Sequence, residues 1–144
     1  MELHCLGENI NEQNVEGLVA EADLIVDCAP LFEERMLLNQ QSQRSQKPMV
    51  EAAMYELQAQ LTTLIPGQTP CLACFTPKHP PAWKRRFPVF GAVSGSVACM
   101  AAMEAIKIIT GNGETLAGKL LTYDLRDMTF RTTSIQRNAG CEVC

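Results

Sequence analysis

The sequence has no excess of basic residues: 12 Lys and Arg stand against 16 Asp and Glu, a net charge of −4. Binding to nucleic acid through phosphate neutralisation is therefore not expected. The first residues, MELHCLGENI, carry neither a basic segment nor a long apolar stretch, so no secretory leader is read there and a cytoplasmic location is expected. No internal repeat and no low-complexity tract is found. One segment alone, residues 91–110, is apolar enough to suggest a membrane span, and Ser94, Gly95 and Ser96 interrupt it. No membrane partner is expected. Phosphate-loop patterns are missing as well. Gly91-Ala-Val-Ser-Gly95 lacks the Lys and Ser/Thr pair of a P-loop, and Gly111-Asn-Gly113 follows a predicted helix instead of a strand.

What the chain does have is a core-forming composition. Hydrophobic residues make up 47% and charged residues 19%, which excludes a disordered chain. The length suits a single domain over residues 1–144, and a domain of this size buries roughly 70% of its unfolded surface without needing disulfides. Cysteine is the surplus. There are seven, of which Cys71, Cys74, Cys141 and Cys144 form two C-x-x-C pairs. Cys5, Cys28 and Cys99 stand alone in apolar stretches and are expected to be small buried hydrophobes.

Residues 1–5 read as a short strand, residues 11–22 as a helix with Val15, Leu18 and Val19 on one side, and residues 23–27 as a strand buried on both faces. Pro30 supplies a first helical position, with Glu33 and Glu34 in the first turn where the helix dipole favours acids. That helix runs to about residue 43 and is closed by Gln46-Lys47-Pro48; residues 49–54 follow as a strand. The alternation predicts a β-α-β-α-β unit with a parallel sheet. The second half changes character. Residues 57–65 read as a half-buried strand, and 75–88 as a proline-rich loop carrying Lys78, His79, Lys84, Arg85 and Arg86. Residues 91–110 read as a helix whose small residues suit close packing, capped by Gly111-Asn-Gly113. Residues 120–125 and 129–136 pair as a hairpin around Arg126-Asp127.

The paired cysteines carry the strongest chemical signal. Each pair can chelate as a knuckle, and each follows a Gly-containing turn, Pro66-Gly67 or Ala139-Gly140. Four thiolates suit a tetrahedral Zn2+, and with no ligand position left open such a site is structural. It would staple the C-terminal tail to the chain near residue 70. A redox C-x-x-C is the alternative, but that chemistry favours a cysteine at a helix N-terminus, and neither pair is expected to precede a helix. Iron in a rubredoxin-like site is the chemical neighbour. Asp27 ends a predicted parallel strand, where open α/β sheets bind ligands, so it could reach a metal-nucleotide or simply be solvated. Lys84, Arg85 and Arg86 could dock an acidic partner or be solvated loop charges.

Several pieces form an ordered series: Ala22-Asp-Leu-Ile-Val-Asp-Cys28, Arg35 and Asn39, Lys47-Pro-Met-Val50, Cys71-Leu-Ala-Cys74, Met103-Glu-Ala-Ile-Lys-Ile-Ile109, Ala117-Gly-Lys119 and Gly140-Cys-Glu-Val-Cys144. In these the chain resembles the C-terminal half of the ThiF/MoeB/HesA family, the ubiquitin-activating-type adenylyltransferases. The resemblance implies an α/β fold of Rossmann-like three-layer arrangement. Its mixed sheet would be parallel in the first part and antiparallel in the C-terminal strands, with Zn2+ on Cys71, Cys74, Cys141 and Cys144. It also implies attack by the C-terminal glycine carboxylate of a ubiquitin-like sulfur-carrier protein on the α-phosphate of ATP, with ATP and Mg2+ bound where an N-terminal half completes the site. Asp27, Arg35, Arg85 and Arg86 would lie beside the nucleotide or the carrier tail. A homodimer, or a complex with the missing N-terminal half, is expected.

Two departures bear on that chemistry. The family's strand end usually reads D-C-T-D-N, whereas Asp27-Cys28-Ala29-Pro30-Leu31 puts Pro30 in the place of the acid that serves Mg-ATP. Lys84 stands where many relatives carry a cysteine for thioester or persulfide chemistry. The chain alone is therefore expected not to adenylate. The alternative reading is a non-catalytic, zinc-stabilised module that binds a ubiquitin-like protein or mediates dimerisation.

Overall fold

The computed structural model describes residues 2–76 and 88–144. In chain order the elements are α1 (Val15–Ala20), β1 (Ile25–Asp27), α2 (Phe32–Ser45), β2 (Met49–Tyr55), β3 (Gln58–Leu64), α3 (Leu72–Phe75), α4 (Gly91–Thr110), β4 (Lys119–Asp124) and β5 (Thr129–Ser134). The strands form one sheet in sequence order, β1-β2-β3-β4-β5. β1 and β2 are parallel, and the pairs that follow are antiparallel. The sheet is mixed as expected, but its parallel part is smaller than a β-α-β-α-β unit. Residues 2–6 form no strand and lie exposed. A strand needs a paired neighbour to hold it, and the outer edge of β1 offers only three residues.

The start of α2 also differs from the sequence expectation. Leu31, extended at φ −104° and ψ 139°, is the N-cap, so Pro30 lies outside the helix. Glu33 and Glu34 do occupy its first turn. The helix closes on Gln46, which takes a left-handed φ of 54°.

Alternation along β2 and β3 sends neighbouring side chains to opposite faces. Val50, Ala52, Ala59 and Leu61 pack with Tyr123 of β4 against Val93, Val97 and Ala101 of α4. Met49 and Leu64 point the other way, to Val15 and Val19 of α1, Leu38 of α2 and Leu72 of α3. Helices on both faces give three layers. Burying a side chain such as Leu61 or Leu64 stabilises the fold by roughly 1.5–3 kcal/mol. Cover on both sides is also why β3 is buried throughout residues 61–64 instead of half-buried. Its threonines tolerate this because Thr62 donates to the Lys119 carbonyl at 2.7 Å and Thr63 to the Glu104 carboxylate.

α4 has the bounds its sequence pattern predicts and ends on Gly111 at φ 67°. Val93, Val97, Ala101 and Glu104 form its buried stripe, with helical spacing. Met103, Ile106 and Ile109 stay exposed. By length and composition α4 could cross a membrane, yet its inner stripe belongs to the protein core. Its glycines do not serve close packing: a Cβ at Gly91 or Gly95 would meet nothing within 4 Å.

Cys5, Cys28 and Cys99, expected inside, are all exposed. Cys5 lies in the irregular terminus. Cys28 follows the buried Asp27 and turns outward by alternation, and Cys99 sits off the buried stripe of α4.

Candidate functional site

β1 and β2 run side by side, which places Asp27 opposite Glu51. Their side chains turn toward α2 and are 0% and 1% exposed. Arg35 of α2 reaches between them. Its Nη1 donates to Asp27 Oδ2 at 3.2 Å and to Glu51 Oε1 at 2.9 Å. Its Nε donates to the Ala29 carbonyl at 2.9 Å and its Nη2 to the Ala52 carbonyl at 2.8 Å. The planar fork lets one side chain fasten the end of β1, the loop after it and β2. Gln60 Nε2 on β3 donates to both Glu51 oxygens at 3.1 and 3.3 Å, and Asp27 Oδ1 accepts from Ala29 N–H at 2.9 Å.

Two carboxylates thus share one guanidinium among the described residues. Burial pushes the Glu51 carboxyl up to about 7; Arg35 pulls it down and the Asp27 charge pushes it further up. Burial likewise raises Asp27, against the pull of Arg35. A carboxyl poised near neutrality at a cleft is a mark of a functional site.

A groove of about 980 Å3 opens beside this cluster, lined by Arg35, Glu51 and Gln60, by Pro30, by Gly95 at the start of α4, and by Arg131 of β5. It reaches the C-terminal ends of the parallel strands, where open α/β sheets bind ligands. Asp27 does not line it and acts through Arg35. Arg85 and Arg86, with Lys78, His79 and Lys84, lie outside the described residues. Sequence reasoning picked out Asp27 and Arg35 and missed Glu51 and Gln60. The signal was an acid at the centre of an otherwise apolar strand, since a buried carboxylate requires a buried base.

β3 returns antiparallel to β2, so the chain after it emerges at the opposite end of these strands. There Cys71 Sγ lies 4.0 Å from Cys74 Sγ and 3.6 Å from Cys141 Sγ, and Cys74 Sγ lies 3.4 Å from Cys144 Sγ. All four sulfurs fall within 4.8 Å of one another. A disulfide needs about 2.05 Å, which these separations exceed. Four sulfurs about 2.3 Å from a central ion stand about 3.8 Å apart in a tetrahedron, which the separations match. The four thiols could therefore hold a metal ion. Arg137 Nη2 donates to the Thr69 carbonyl at 3.0 Å and ties the tail to the first knuckle. Cys71 does precede a helix, contrary to expectation, as the N-cap of the single-turn α3. Redox chemistry is disfavoured at Cys71 itself, because burial pushes its thiol up to about 12. Cys141 is instead, against its desolvation, lowered to about 7 by the backbone N–H groups of Val143 and Cys144, but it precedes no helix.

The E-A-I-K stretch builds a second buried acid. Glu104, 3% exposed, accepts from the Thr63 hydroxyl and from Leu116 N–H at 2.7 Å and pairs with Lys107. Lys107 also donates to the Glu114 carbonyl at 2.7 Å. Neither residue lines the groove.

Three layers around a mixed sheet, a groove at the ends of its parallel strands and a clustered quartet of cysteines define a Rossmann-like α/β domain with a candidate metal staple. Residues 1–143 match the ThiF family, and the chain belongs to it. It is 48% identical over 144 residues to the HesA protein of Nostoc sp., covering 100% of this chain and 57% of HesA. It is 37% identical over 139 residues to the SAMP-activating enzyme E1 of Haloferax volcanii, covering 94% of this chain and 51% of that enzyme. The crystal structure of E. coli MccB with ATP shares the fold at a TM-score of 0.77 and 23% identity, over 96% of this chain and 44% of that one. The chain spans about half the length of these relatives.

Proposed function

We propose that this chain is the C-terminal portion of an adenylyltransferase-type activator of a ubiquitin-like sulfur-carrier protein. It supplies the groove for the carrier's C-terminal tail, and a preceding portion supplies the binding of the ATP phosphates. The observation that carries this is the groove beside the Arg35–Glu51 cluster in a chain of the ThiF family. Ala29, Gly95 and Ala98 give it walls with little bulk, suited to an extended tail ending in glycine, and Arg131 offers a cation to a carboxylate or phosphate. Among the described residues no glycine-rich turn joins a strand to a helix, and Pro30 stands where the family places its Mg-ATP acid. No phosphate step is therefore assigned to this chain's residues. ATP and Mg2+ would be held with the preceding portion, where the nucleotide would supply the adenylyl group for the tail carboxylate, with pyrophosphate as the leaving group.

Zn2+ is the ion this reading gives to Cys71, Cys74, Cys141 and Cys144, in a structural role because four thiolates leave no open position. A cytoplasmic location fits thiols that must stay reduced to bind it. The exposed Met103, Ile106 and Ile109 of α4 are the surface available for assembly. Elemental analysis tests the metal: about one zinc per chain is expected, lost in Cys144→Ser. Full zinc retention by that variant overturns the assignment.

Pro30 favours a second reading, a non-catalytic module that binds the carrier. ATP–pyrophosphate exchange with candidate ubiquitin-like carriers separates the two. No exchange is expected from this chain alone, and exchange is expected once the preceding portion is added. Exchange by the isolated chain refutes the proposed division of labour, and carrier binding without exchange in the completed protein leaves the module.

A further inference from the structure

We propose that Asn39 is a positioning residue of the metal centre, donating from Nδ2 to the Cys71 thiolate while its Oδ1 fixes the backbone of the first knuckle. The inference rests on the four-cysteine metal reading above. Asn39 is 0% exposed on α2, and its Oδ1 accepts from Leu72 N–H at 2.8 Å. A backbone N–H can meet only the oxygen of a carboxamide, so this bond sets which way the amide points. Nδ2 is thereby left buried without a partner, which folded proteins rarely tolerate.

The knuckle that this bond fixes carries Cys71, the residue before Leu72 and itself 0% exposed. A thiol is a weak acceptor and a thiolate a strong one, so the orphaned donor is satisfied in the state that a bound metal enforces. The pattern extends along the helix. Among the described residues the buried side-chain nitrogens without a partner are Asn39 Nδ2 and Gln43 Nε2. Gln43 lies one turn further on and shares a small cleft with Cys144. Both orphans therefore flank the cysteine cluster. Four thiolates around a divalent ion leave excess negative charge, and amide donors from outside the ligand set offset it and orient the sulfurs.

The test uses the full chain loaded with an NMR-active cadmium isotope and, separately, with Co2+. In the wild type a correlation between the Asn39 carboxamide proton and the cadmium, carried through the N–H···S bond, is expected. Asn39→Asp keeps an acceptor for Leu72 but has no donor. Its cobalt–thiolate charge-transfer band is expected at lower energy, and metal transfer to a chelator is expected to be roughly 10–100-fold faster. A folded Asn39→Asp protein with an unchanged band and unchanged release, or a wild-type cadmium spectrum without the Asn39 correlation, overturns the inference. Where the variant does not fold, the wild-type cadmium spectrum decides alone. A wild type that takes up no metal sinks the four-cysteine reading and this inference with it, whereas metal uptake without the Asn39 signal sinks this inference alone.

Discussion

Glu51 and Glu104 are both buried, on opposite faces of one sheet, at 1% and 3% exposure. Their surroundings differ in charge balance. Glu104 has Lys107 to itself, plus a hydroxyl and a backbone N–H, and Lys107 keeps 23% of its side chain in contact with solvent. Glu51 shares Arg35 with Asp27, and Arg35 spends its other donors on the carbonyls of Ala29 and Ala52. The Glu104 site is closed and compensated. The Glu51 site is one charge short and opens on a groove. Burial of an acid therefore does not by itself mark function; an uncompensated buried acid beside a cleft does. Four substitutions, at three residues, can break or sharpen this distinction.

The largest effect belongs to Arg35. Arg35→Ala leaves Asp27 and Glu51 buried without their common base and is expected to destabilise by about 3–5 kcal/mol, read from the denaturant midpoint. Arg35→Lys is expected to recover little, because a compact ammonium cannot serve two carboxylates and two carbonyls lying in different directions. A lysine variant of wild-type stability would show that charge alone, and not the planar fork, holds the site.

Glu51 carries the next effect, and its sign is the informative part. Its carboxyl titrates at about 7 in the folded protein against an ordinary value of 4.5. Between those values the folded state holds a proton that the unfolded chain has released, so stability falls as pH rises through that window. The shift corresponds to at most on the order of 3 kcal/mol. Glu51→Gln is expected to flatten the slope and, near pH 8, to be more stable than wild type by about 1–2 kcal/mol, less than the full amount because it cannot accept both bonds from Gln60. Thermal melts across the window check this. A variant that keeps the wild-type slope places the titration on another group.

The two acids also separate what sequence shows from what it hides. Signals confined to one element were legible: the periodicity and terminal glycine of α4 fixed its bounds, and the C-x-x-C spacing identified all four clustered thiols. Pairings set by tertiary structure were not. Glu51 meets Arg35 across 16 positions of sequence and Glu104 meets Thr63 across 41, and no local pattern announces either. The extent of the parallel sheet was misjudged because residues 2–6 offered strand-like chemistry without a neighbouring strand to pair with. The lone cysteines were misplaced because an apolar neighbourhood does not set the phase of burial: Cys28 follows the buried Asp27 on the outward turn, Cys99 sits off the buried stripe of α4, and Cys5 lies in an irregular terminus. At the groove, Arg35 was visible as part of a motif, while its commitment to Asp27, Glu51 and two carbonyls arises only from the folded packing of α2 on β1 and β2.

The smallest effect tests the comparison most directly, because it is the same substitution at the other acid. In Glu104→Gln the amide oxygen can stand where Oε2 accepts from Thr63 and Leu116, so both of those hydrogen bonds survive. The ion pair with Lys107 is lost, but the ammonium keeps the Glu114 carbonyl and turns the rest of its donors to water. A partly exposed pair contributes little, so the expected cost is about 1 kcal/mol, measured near pH 8 beside Glu51→Gln. Opposite signs for one chemical change at two equally buried glutamates would locate the difference in charge balance. If Glu104→Gln also stabilises the protein, both acids are simply burdened by desolvation, and the excess charge beside the groove loses its claim to mark the functional end of the sheet.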